Sequence, residues 1–122
     1  MKILIAEDDE LMLKALEFRL KKDGHQLILT RDGLEALQKI EEYQPDLIIT
    51  DIMMPYFSGL EIVGTVRKNS RVPIIVLSGM GQESVVTEAF KLGADDYITK
   101  PFSPNELSLR VSRLNKNFLT KV

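Results

Sequence analysis

Asp46-Leu47-Ile48-Ile49-Thr50-Asp51-Ile52-Met53-Met54-Pro55 reads as a short apolar strand that ends on an aspartate and runs straight into a turn. Pro55 forbids immediate continuation of regular structure, because its ring fixes φ and it has no amide hydrogen to donate. Asp51 is thereby held at a strand's carboxyl end. Three other apolar runs end in the same manner: Lys2 to Ala6 into Glu7-Asp8-Asp9, Pro73 to Leu77 into Ser78, and Tyr97 to Thr99 into Lys100. In an open parallel sheet those ends share one edge, which is where such folds bind ligands.

Outward from that strand, strand-like and helix-like runs alternate, five of each, which is the pattern of an α/β domain with a parallel sheet. After the first strand, Leu11, Ala15 and Phe18, flanked by Met12, Leu16 and Leu20, form an apolar stripe at helical spacing, with Lys14, Arg19, Lys21 and Lys22 polar. That helix stops at Asp23-Gly24, and His25 to Thr30 is the second strand. Asp32-Gly33-Leu34-Glu35 supplies a capping acid with a glutamate three residues on, and Gln44-Pro45 closes the second helix, since a residue before proline is pushed out of the helical region. Ser58-Gly59-Leu60-Glu61 is a capping box for the third helix, carried onward by Leu60, Val63 and Val66 or Arg67.

Ile74 to Leu77 is an unbroken apolar run that suits a central strand covered on both faces. Gly79 and Gly81 bracket Met80, which makes the next connection the most deformable in the chain and one expected to move. The fourth helix, about Glu83 to Leu92, ends at Gly93, and Asp95 to Lys100 is the fifth strand. Ser103-Pro104-Asn105-Glu106 opens the last helix, with Leu107, Val111 and Leu114 as its buried stripe. The 122 residues read as a single domain, with a polar tail after about Asn115 expected to fray or to begin a linker.

Composition excludes several classes. A chain with 44% hydrophobic residues has enough apolar material for its own core. The absence of cysteine removes disulfides, thiolate metal sites and a thiol nucleophile. Four apolar residues after Met1-Lys2 are too few for a signal peptide, and no run approaches the roughly eighteen residues of a membrane span, so a cytoplasmic protein without membrane contact is expected. A formal charge of -2 does not supply the basic footprint of a nucleic-acid binder, so this domain is not expected to bind DNA directly.

The chemistry lies in Glu7, Asp8 and Asp51. Oxygen ligands of this kind suit Mg²⁺, which takes one or two carboxylates, waters and a phosphate oxygen. Lys100 and Ser78 converge from other strand ends, and a phosphoryl group needs cationic and donor groups around its equatorial oxygens. Asp51 is the candidate nucleophile. An aspartyl phosphate is a short-lived mixed anhydride, so its natural use is a reversible mark.

With these residues in place, the sequence closely resembles the receiver domain of bacterial two-component response regulators, over nearly its whole length. The matching pieces are Ile3-Leu4-Ile5-Ala6-Glu7-Asp8-Asp9, Asp46 to Pro55, Ser58-Gly59-Leu60-Glu61, Pro73-Ile74-Ile75-Val76-Leu77-Ser78, and Leu92-Gly93-Ala94-Asp95-Asp96-Tyr97-Ile98-Thr99-Lys100-Pro101-Phe102. The resemblance implies a doubly wound (βα)5, flavodoxin-like three-layer sandwich with strand order 2-1-3-4-5. It implies Asp51 as phosphoacceptor, supplied by a histidine kinase or a histidine phosphotransfer protein. Asp8, Asp51 and the backbone carbonyl of Met53 would bind Mg²⁺ directly, with Glu7 acting through a water. Lys100 would pair with the phosphoryl oxygens, and Ser78 would bond one of them and draw its loop inward, upon which Tyr97, the switch aromatic, turns inward. The surface of the fourth helix, fifth strand and fifth helix would then control an output. Such a domain is a signalling module rather than an enzyme, although it assists its own phosphorylation and dephosphorylation. The Lys100-Pro101 bond is expected to be cis.

Each residue alone has an ordinary reading: Asp8 or Asp9 as a helix cap, Lys100 as a surface cation, Ser78 as a turn hydroxyl, Tyr97 as a half-buried strand residue. Their convergence decides against those readings, except for Asp9, which reads as the cap. Met53, Met54 and Met80 are read as gap-fillers apart from the Met53 carbonyl, and His25, the sole histidine, as structural.

Departures from the family pattern are Ser78 for threonine and Gly79 for alanine. In relatives that drive DNA-binding domains the fourth-helix to fifth-helix face makes a symmetric dimer through charged pairs. Asp96 with Arg110 fits one, and Glu106 fits another whose basic partner is replaced by Val86. A homodimer through that face is therefore expected. The segment from Ala94 to Val111 most resembles receivers attached to winged-helix DNA-binding domains, which favours the receiver part of a longer regulator over a stand-alone one. A nucleotide or flavin binder would need a glycine-rich loop where Glu7-Asp8-Asp9-Glu10 places acid. An aspartyl phosphatase would need room for a substrate-binding cap. The remaining alternative is a degenerate receiver that works only as a protein-binding module.

Overall fold

The computed structural model describes residues 1–79 and 83–120, and side chains through Asn115. Five strands, β1 (Lys2–Ala6), β2 (Gln26–Thr30), β3 (Leu47–Asp51), β4 (Ile74–Ser78) and β5 (Asp96–Thr99), alternate with α1 (Glu10–Lys22), α2 (Gly33–Tyr43), α3 (Gly59–Arg67), α4 (Glu83–Leu92) and α5 (Pro104–Thr120). All strand pairs are parallel, in the order β2-β1-β3-β4-β5. This is the expected doubly wound flavodoxin-like sandwich.

Strand side chains alternate between faces, and each face is closed by different helices. Leu4, Ile48, Ile74, Val76 and Tyr97 pack with Ala36, Ile62, Val63 and Ala89 on the side of α2, α3 and α4. Ile3, Ile5, Ile49, Ile75, Leu77 and Ile98 pack with Leu13, Leu16, Leu20, Leu107 and Val111 on the side of α1 and α5. Burial on both faces explains the unbroken apolar runs of β1, β3 and β4.

The helix ends follow local chemistry. Asp9 caps α1, its carboxylate accepting from the amides of Leu11 and Met12, as expected. Ser58 and Glu61 form the reciprocal capping box of α3. Asp32 accepts from the Glu35 amide, but the Glu35 carboxylate reaches back to the amide of Arg31 instead of that of Asp32. Gln44 leaves the right-handed helix for the left-handed region (φ 48), not for the extended region that a following proline favours. Lys100-Pro101 is cis.

One helix face differs from expectation. On α1 the buried residues are Leu13, Leu16 and Leu20, whereas Leu11 is 82% and Phe18 74% exposed and Ala15 is exposed. Apolar residues occur all around this helix, so spacing alone permits several stripes, and the seat against β2 and α5 selects one. The α5 backbone continues as helix through Thr120, past the point where composition suggested fraying. Met80 and Gly81, the connection expected to move, lie outside the described residues.

Candidate functional site

Register brings the acids together. Ala6 pairs with Thr50 across β1 and β3, so Glu7, just past the end of β1, stands beside Asp51, the last residue of β3. Ligating oxygens of Glu7, Asp8 and Asp51 all lie within 4.8 Å of one another. Glu7 is fully buried, Asp51 nearly so, and Asp8 is exposed, so one side of the cluster opens to solvent.

Lys100 enters from the far side of the sheet. Its amide donates to the Ser78 carbonyl (2.7 Å), which fixes the chain just beyond β5 against the end of β4. From there its ammonium reaches Glu7 Oε1 at 2.8 Å and Asp51 Oδ2 at 3.1 Å. Burial pushes the Glu7 carboxyl above the usual glutamate range, with Lys100 pulling it back and the Asp51 charge raising it again. Burial works to lower the Lys100 pKa, but the bond to Glu7 and the charge of Asp51 outweigh it and the net direction is upward.

The Asp51 backbone is held from several directions. Thr50 Oγ1 donates to the Asp51 carbonyl at 3.0 Å, the Ile52 amide donates to Asp51 Oδ1 at 2.9 Å, and the same amide reaches the Leu77 carbonyl at 3.1 Å. Gly59, the first residue of α3, donates to the Ile52 carbonyl at 2.9 Å. A Cβ at Gly59 would lie 2.3 Å from the Asp51 carbonyl oxygen, so only glycine lets α3 begin this close to the aspartate. Sequence reasoning placed Gly59 in a capping box and gave Thr50 no role. A threonine inside an otherwise apolar buried strand was the available signal.

The structure thus brings Glu7, Asp8, Asp51 and Lys100 into one cluster, with Ser78 buried at the neighbouring strand end. Tyr97 is buried on the α4 side of the sheet, already inward, with 9% of its surface exposed. The side chain of Met53 is exposed. His25 ring nitrogen Nδ1 lies 3.0 Å from the amino terminus, far from this edge in the fold, in keeping with a structural reading.

A family model described as the response regulator receiver domain matches residues 3–112. The chain belongs to the response regulator receiver domain family. This receiver is 40% identical over 114 residues to the alkaline phosphatase synthesis transcriptional regulatory protein PhoP of Bacillus subtilis, a match covering 93% of this chain and 48% of that protein. It is 43% identical over 110 residues to the probable transcriptional regulator ycf27 of Guillardia theta, covering 90% and 43%. The receiver therefore spans less than half the length of these curated relatives. Among solved structures, the Francisella response regulator 1452 receiver domain superposes with a TM-score of 0.92 at 37% identity, covering 96% of this chain and 98% of that one. The likeness to transcriptional regulators agrees with the pattern read from Ala94 to Val111. No helix among the described residues is long and apolar enough to cross a membrane.

Proposed function

We propose that this receiver is a phosphorylation switch in which Asp51 is the phosphoacceptor. The observation that carries the reading is the nearly buried Asp51 carboxylate at the end of β3, in contact with Lys100 and clustered with Glu7 and Asp8. An Asp51 oxygen attacks the phosphorus of a phosphohistidine on a histidine kinase or histidine phosphotransfer protein. The P–O bond forms as the P–N bond breaks, and the electron pair returns to the imidazole.

Three convergent carboxylates, one facing solvent, form a hard oxygen donor set that fits Mg²⁺. Asp8, Asp51 and the Met53 carbonyl would hold the ion directly and Glu7 through a water. When bound, Mg²⁺ neutralises charge on the transferring phosphoryl group. Lys100 then shifts from carboxylates to phosphoryl oxygens, and the Ser78 hydroxyl takes another. Ser78 ends β4 and its carbonyl accepts from Lys100, so movement there is passed to β5, Tyr97 and the α4–β5–α5 surface. That surface is the expected output face, including a homodimer through α4 and α5, in the cytoplasm and, by analogy with the relatives' names, in control of transcription.

Intact-protein mass after incubation with acetyl phosphate, with and without Mg²⁺, tests this for wild type and Asp51→Asn. The expected result is one Mg²⁺-dependent phosphoryl addition, absent in the variant. No addition to folded, Mg²⁺-binding protein would move the phosphorylation-independent binding module to first place.

A further inference from the structure

The turn between Asp51 and Ser58 is anchored in its middle by another helix. Pro55 presents its carbonyl to two donors: the Phe57 amide at 2.9 Å, which closes a tight three-residue turn, and the Gly33 amide at 3.1 Å. Tyr56, at the centre of that turn, has φ 72, a conformation a tyrosine seldom adopts. Gly33 is the first residue of α2, where a helix has amides without partners inside the helix. A Cβ at Gly33 would lie 2.1 Å from the Phe57 carbonyl oxygen and 2.5 Å from the Phe57 Cβ. Backbone thus meets backbone at a distance that only glycine allows.

We propose that Gly33 is a positioning residue for the metal site, latching the Ile52–Phe57 turn so that the Met53 carbonyl is presented beside Asp51. The inference rests on reading Met53 as a Mg²⁺ ligand. Gly33 belongs to the second helix, and its amide and its missing side chain fix the height of the turn over the sheet edge. A methyl group there must lift the Phe57 end of the turn. Asp51, Asp8 and Glu7 stay on their strand ends, held by β1 and β3, so the loss falls on the carbonyl ligand and not on the carboxylates.

The test is the Mg²⁺ dissociation constant, measured by titrating Mg²⁺ alone into the protein and following amide shifts, alongside thermal midpoints in EDTA. Gly33→Ala is expected to weaken Mg²⁺ binding about tenfold, the loss typical when support behind a metal ligand is removed. Gly24→Ala is the control for general destabilisation. That glycine has φ +94 with nothing within 4 Å of its would-be Cβ, so alanine strains the α1–β2 turn without touching the site. It should lower the midpoint and leave Mg²⁺ affinity unchanged. Folded Gly33→Ala with wild-type affinity overturns the latch. Should Gly33→Ala not fold, Asp32→Ala decides, because it removes the cap of α2 while Asp32→Asn keeps the cap and removes only the charge. Weaker binding in the alanine variant than in the asparagine variant supports the latch, and equal binding overturns it. Wild-type protein that binds no Mg²⁺ overturns the metal reading itself, a different result from an unaffected Gly33→Ala.

Discussion

The ammonium of Lys100 lies between two carboxylates, 2.8 Å from Glu7 and 3.1 Å from Asp51. A cation entering the acidic cluster must share both with it. At the short distances and reduced dielectric of such a site, like charges repel by energies worth powers of ten in affinity. Lys100→Ala is therefore expected to bind Mg²⁺ more tightly, on the order of tenfold, while accepting phosphoryl groups from acetyl phosphate more slowly. Titration calorimetry and time-resolved intact mass check the two halves. Weaker Mg²⁺ binding in the variant would mean that Lys100 supports the metal geometry more than it opposes the charge.

Glu7 gives the site a pH signature. Burial raises its carboxyl pKa above the usual glutamate value of 4.5, so over the interval between 4.5 and its native value the folded protein holds more protons than the unfolded chain. Stability from this group is fully present below 4.5 and is lost as pH rises through the raised native value. Urea unfolding in EDTA should show wild type losing stability relative to Glu7→Gln as pH climbs through that interval. A difference that does not change with pH would show that Lys100 offsets the burial completely.

The sequence made the fold legible because strands covered on both faces must be apolar throughout, and the apolar runs of β1, β3 and β4 each stop abruptly at a polar residue. Asp51, Glu7, Asp8 and Lys100 were legible for the same reason: each stands where an apolar run stops. The direct pairing of Lys100 with Glu7 was not, because it depends on the Ala6 to Thr50 register and on the Lys100 amide bonding Ser78. Nor was the close approach of Gly59 to Asp51, since a glycine after a capping serine carries no mark of what lies 2.3 Å from its missing Cβ.

The face of α1 offers a direct check on the least legible element. Leu16 is 1% and Phe18 74% exposed, although both belong to one apolar helix. Leu16→Ala is expected to cost about 2–5 kcal/mol of unfolding free energy, as for other buried leucines. Phe18→Ser, with little surface to lose, should stay within about 0.5 kcal/mol of wild type. Urea titrations of the two variants decide it, and a large loss in Phe18→Ser would place the seat of the helix on its other face.

Arg110 was expected to contribute a charged pair across a dimer, yet within one chain it already bonds Asp96 at 2.7 Å and Glu106 at 3.3 Å. Asp96 is nearly buried, and Arg113, at 3.5 Å, is a weaker second partner. Exchange of the Asp96 pair between copies must first break it within each copy, so its gain on association is a difference between two similar contacts. Arg110→Glu sets a third carboxylate beside Asp96 and Glu106 and should destabilise the single chain by roughly 1–3 kcal/mol. Arg110→Ala should cost less, because Arg113 can move onto Asp96. Chemical denaturation at low concentration measures that part alone. Sedimentation of the phosphorylated proteins then isolates the interface: Arg110→Glu is expected to self-associate less than wild type, and equal dimerisation would remove Arg110 from the contact and leave it an internal brace between β5 and α5.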